Sequence, residues 1–121
     1  MTIYNVKSLV YKTLTSIPAI KQITTSYPNS FAQYPSAVYY TSHKAYFRDG
    51  NMHELQTEWT ITIDLFTDEG KLTNIADELI SRFSDMGFSN EVGDSNLAGM
   101  VRCVIRLTGI IDNEEQRVFQ K

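Results

Sequence analysis

Little in this chain of 121 residues invites covalent or membrane chemistry. It has one cysteine, Cys103, and no long apolar run. A single cysteine excludes an intrachain disulfide, and with it the secreted disulfide scaffold. Cys103 lies in an alternating apolar stretch, where a thiol reads as a small buried hydrophobe rather than a nucleophile. No segment nears the roughly 18 continuous apolar residues of a membrane span. The first residues lack the basic-then-apolar layout of a secretory signal. A cytoplasmic protein is expected, or one that leaves the cytoplasm only inside a larger particle. An excess of positive charge is missing too. Eleven Lys and Arg against fourteen Asp and Glu give a net charge of −3, so non-specific capture of nucleic acid or acidic membrane is not the expected mode.

Catalytic and ligand motifs are equally scarce. His43, His53 and Cys103 have no paired metal-ligand spacing, and the two histidines read as solvated residues flanking a turn. There is no G-x-S-x-G, and the six glycines form no phosphate loop. Asp68, Glu69, Asp77 and Glu78 read as a solvated helix face with favourable first-turn charge. The residues therefore point to no catalytic group, no metal and no cofactor.

What the chain does have is well-patterned structure. Ile3, Val6, Val10, Leu14 and Ile17 recur at helical steps, predicting a helix from Thr2 to Ser16, capped by Thr2 and ended by Pro18. Leu9 and Tyr11 fall off this stripe. "IKQITTS" reads as a short strand or as loop. "YPNSFAQYPS" reads as a loop pinned by Tyr27, Phe31 and Tyr34. "AVYYT" and then "AYFR" have strand-forming residues, and Asp49-Gly50 before "TEWTITIDLFT" signals a hairpin. In that long strand Trp59, Ile61, Ile63 and Leu65 share one face, while Glu58, Thr60, Thr62 and Asp64 share a wet or polar one.

From Lys71 to Met86 a helical apolar stripe closes on Gly87-Phe88, the pattern of a glycine C-cap. "SNEVGDSNLAG" reads as loop around a short strand near Val92. Met100 to Ile111 is a final strand, with Val101, Cys103, Ile105 and Leu107 on one face. Arg102 and Arg106 point the other way, where they either pair across strands with Glu58 or Asp64 or face DNA. The tail 113–121 reads as a charged, flexible arm. One domain over 1–121 is expected, α+β, with a mostly antiparallel sheet of four to five strands, two helices on one face, and the order α-β-β-β-α-β.

The succession "SIP", "YPSAVYY", "FRDGN", "TEWTITIDLFTDEG", "LTNIADELISRFSDMGF" and "VRCVIRLTGIID" resembles the small tail-completion, or tail-terminator, proteins of long-tailed bacteriophages and prophages. The likeness runs from about Thr2 to Asp112. It implies a structural virion protein assembled in the bacterial cytoplasm, without catalytic residues. Such a protein forms a ring, commonly a hexamer, at the head-proximal end of the tail tube. It ends tube polymerisation, meets the head connector or head-closure protein, and lets genomic DNA pass without sequence-specific binding. On that reading Thr60, Thr62 and Asp64 line a channel, and Leu9, Tyr11, Tyr27, Phe31 and Tyr34 contact neighbouring subunits or partners. Other neck components, such as adaptors and head-closure proteins, stay open as readings. So do a protein-binding module unrelated to phages and an unrecognised small enzyme.

Overall fold

Alternation in the central strand decides the architecture. In the computed structural model, which describes residues 5–25, 33–48, 50, 54–67, 72–97, 100–113 and 117–119, strand β3 spans Glu54–Thr67. Its residues Ile61, Ile63 and Leu65 are fully buried under the helices. Around it stand α1 (Val6–Thr15), β1 (Gln22–Thr24), β2 (Ser36–Arg48), α2 (Thr73–Asp85), β4 (Ser89–Leu97), β5 (Met100–Asp112) and β6 (Arg117–Phe119). The sheet order is β1-β2-β3-β5-β4, and β6 continues along β5. All pairings are antiparallel except β1 with β2. The fold is α+β, with both helices on one face of the sheet.

That covered face holds the core. Val6, Val10 and Leu14 of α1, and Ile75, Ala76, Leu79 and Phe83 of α2, pack on Ala37, Tyr39, Trp59, Ile61, Ile63, Leu65, Cys103, Ile105 and Leu107. Cys103 is buried among them, as a small hydrophobe would be. α1 lies over β1 and β2, α2 over β4 and β5. A latch joins the helices: the Arg82 guanidinium pairs with Glu78 at 2.8 Å and donates to the Ser16 hydroxyl at 2.7 Å.

Both helix ends have chemical causes. The α1 cap is Asn5, whose side-chain oxygen accepts the Ser8 N–H at 3.2 Å, and expected Thr2 lies outside the described residues. At the end of α2 the Gly87 N–H donates to the Ser84 carbonyl at 2.9 Å and the Phe88 N–H to the Phe83 carbonyl at 3.1 Å. Gly87 has φ 106°, in the region closed to most side chains, which is the Schellman geometry. The Phe88 ring closes edge-on against Phe83, centroids 5.8 Å apart.

Several elements differ from expectation. "AVYYT" and "AYFR" are one continuous strand, β2, because β3 opposite is long enough to pair with all of it. "SNEVGDSNL" is a full nine-residue strand rather than a loop around a short strand near Val92, held by β5 along its length. The tail 113–121 contributes β6, paired with Ile110–Asp112, so it is not simply a free arm. Asn113, 2% exposed, helps fix it by donating to the Thr57 hydroxyl at 2.9 Å.

Candidate assembly surfaces

The sheet face away from the helices carries the polar residues of β3, and register sets their neighbours. Tyr40, Thr62 and Arg106 stand side by side on β2, β3 and β5, as do Ser42, Thr60 and Thr108. Lys44 pairs with Glu58 at 3.4 Å, and Arg106 approaches Glu91 of β4 at 3.9 Å. Tyr40 is 47% exposed on this face.

The expected wet face of Thr60, Thr62 and Asp64 needs correction. Thr60 is half-buried, but Thr62 is 5% exposed and Asp64 is fully buried. The short side chain of Thr62 sits on a middle strand between the long ones of Tyr40 and Arg106. Asp64 lies beside buried Val38 and Phe66, and Arg102 reaches over it. The Arg102 Nη2 donates to Asp64 Oδ2 at 3.0 Å, and its guanidinium carbon stands 5.6 Å from the Phe66 ring centroid. A carboxylate buried in this way requires a charged partner, which Arg102 supplies. Arg102 and Arg106 therefore pair across strands. Arg102 takes Asp64, as one of the two readings had it, while Arg106 turns to Glu91 rather than to Glu58.

The expected contact residues scatter. Leu9 is partly buried against the core, where it widens the α1 stripe, so it offers little surface. Tyr11 is 51% exposed. Tyr34 is half-buried just before the cis peptide bond to Pro35, and Tyr27 and Phe31 lie outside the described residues. Next to Tyr11, burial and then the Tyr11 hydroxyl push the Tyr39 phenol above its usual pKa. A shallow hollow of about 220 Å³ opens here, lined by Lys7, Thr25, Tyr39, Tyr40 and Thr41.

Ligand chemistry does not gather anywhere in the described part of the chain. No group of three His, Cys, Asp or Glu side chains is placed to hold a metal among the described residues. His43 is exposed, as expected, but lies within β2 rather than at a turn, its ring tilted against Trp59 with centroids 4.4 Å apart, and His53 falls outside the described residues. No helix among the described residues is long and apolar enough to cross a membrane. Comparison with protein-family models, curated proteins and solved structures finds no match.

What sequence reasoning missed is the edge geometry. Among the described residues no strand flanks β2 on its outer side beyond Val38, and none flanks β4. The Asp49-Gly50 turn signal pointed to β2, and Val92 pointed to a short strand, but nothing local gave β4 its full length.

Proposed function

We propose that this chain is a structural subunit of a bacteriophage or prophage virion that caps the head-proximal end of the tail tube. On this reading it ends tube polymerisation and joins the tail to the head connector, as a ring of about six copies around the path of the DNA. One observation supports it most: both helices cover a single face, leaving the opposite face and two sheet edges for contacts with other chains. A ring needs surfaces that differ on its two sides, and two distinct edges of one sheet meet that requirement.

The open face suits a channel wall in a revised form. Its exposed groups include Tyr40, Ser42, Lys44, Glu91 and Arg106, with Thr60 between them, and the two cations stand near Glu58 and Glu91. Charges neutralised in this way do not grip phosphates, so DNA would slide rather than bind. Asp64 has no part in that wall, being buried under Arg102.

The test is the solution mass of the purified protein at high concentration, with negative-stain images of the same sample. Closed rings with a central hole are expected, and tail tubes grown with the protein should stop at a capped end. A monomer that also leaves added tubes uncapped overturns the tail-terminator reading. Rings that bind a head connector but ignore tubes would favour a head-closure or adaptor role instead.

A further inference from the structure

The sheet ends on two strands of nearly matched free length. β1 covers β2 only from Ser36 to Val38, and the pairing of β2 becomes irregular after Ala45. β4 is regular from Ser89 to Leu97. One hydrogen bond shows which backbone groups face outward. The Lys21 N–H donates to the Pro35 carbonyl at 2.8 Å, so by strand alternation the odd residues of β2 turn their N–H and C=O groups to the outer side. Even residues then bond to β3. Alternation carries this through Val38 opposite Asp64, Ile63 opposite Ile105 and Val104 opposite Gly93. On β4 the outward residues are therefore Asn90, Val92, Asp94 and Asn96.

We propose that β4 of one copy of this chain adds to β2 of the next, antiparallel, with Ser89 to Asn96 opposite Tyr46 to Tyr39. One feature sets the antiparallel sense and two agree on the register. β2 and β4 run in opposite directions within one chain, so copies facing the same way present antiparallel edges. The offset sets outward Tyr39, Thr41, His43 and Ala45 against outward Asn96, Asp94, Val92 and Asn90, each pair able to exchange two backbone hydrogen bonds. It also brings Lys44 opposite Glu91, both 77% exposed and both on the open face.

The two strands also differ in overall charge: β2 has Lys44 and Arg48 and no acid, whereas β4 has Glu91 and Asp94 and no base, and in this register Lys44 and Glu91 are the pair that meets directly. The present partners of Lys44 and Glu91, at 3.4 and 3.9 Å, are surface contacts that can be shared or exchanged at little cost. Composition points the same way. β4 is rich in Asn, Ser, Asp and Gly, which disfavour strands, and a second neighbour would give it the support its own residues do not. Because the contact is head-to-tail, closure into a ring rests on the reading proposed above, while the pairing itself does not.

Lys44 and Glu91 would form a non-hydrogen-bonded pair, with Cα atoms about 4.5 Å apart, within reach of a disulfide. The experiment is therefore oxidation of a Cys103→Ala chain that also carries Lys44→Cys and Glu91→Cys, at concentrations where the parent associates. A ladder of covalent multimers on a denaturing gel is expected, with each single-cysteine chain stopping at dimers. Independently, Lys44→Glu should weaken association by about tenfold or more, and adding Glu91→Lys should restore it. Thr41→Pro should abolish it without unfolding the chain, since that N–H points outward and proline is tolerated on such an edge. If the parent forms rings but the ladder and the charge rescue both fail, the pairing is overturned and the ring reading stands. A ladder and rescue with open filaments uphold the pairing and sink the ring. A parent that stays monomeric throughout overturns the pairing.

Discussion

Ile63 and Asp64 are adjacent in the chain, point to opposite faces of the same strand, and are both fully buried. They reach that state by different physics. Ile63 is covered by two helices and needs only apolar neighbours, so its burial is stabilising in itself. Asp64 lies on the face away from the helices, where the Arg102 ion pair helps to offset the desolvation of its charge. Burial alone therefore says little about what holds a residue in place. On the covered face it reflects the core, and on the open face it reflects the length of neighbouring side chains.

Substitutions at these neighbours separate the two cases. Ile63→Ala leaves a cavity in the core and should cost about 2–5 kcal/mol, read as a lower midpoint in denaturant unfolding. Asp64→Ala strands Arg102, but that arginine keeps 29% of its side chain in water. Its cost should fall below the ~3–5 kcal/mol of a fully buried broken pair, near ~2 kcal/mol, and Asp64→Lys should exceed it by setting two cations together. If Asp64→Ala were as costly as Ile63→Ala, the open face would have to be counted as core.

Gly87→Ala tests how the covered face acquires its helix. With φ at 106°, an added Cβ should cost about 1–2 kcal/mol, visible as a lower thermal midpoint. The Tyr39 phenol contributes through pH. Its folded pKa lies above the unfolded value of 10.0, so the neutral form is favoured by folding. That contribution is complete below pH 10 and is lost as pH rises through the raised value, so Tyr39→Phe should flatten alkaline destabilisation in that window. Lys44→Ala should have the smallest effect, within about 0.5 kcal/mol, because its pair with Glu58 is solvated on the lysine side. A large loss of stability there would remove the distinction between a paired surface and a packed one.

Legibility in sequence followed how local the cause was. The stripe of α2 and its Gly87-Phe88 ending are set by residues within two turns of one another, and they read correctly. So did the faces of β3 and β5 wherever apolar residues alternate. The cap of α1 shifted from Thr2 to Asn5 because both residue types can cap, and side-chain geometry rather than composition chooses between them. β4 was legible only as a short strand near Val92, for a stronger reason. "SNEVGDSNL" contains almost nothing that favours a strand, and its extended form comes from the ladder β5 provides across the chain.

The sequence by itself determined an α+β domain, its principal helices and strands, and an apolar face for the sheet, because periodicity and turn chemistry act over a few residues. Only the tertiary structure decided that Asp64 lies under Arg102, that Thr62 is shielded by its neighbours, and that β2 and β4 end the sheet. Those outcomes depend on strand order and register between segments far apart in the chain. No local pattern encodes them, because each requires the pairing of strands to be settled first.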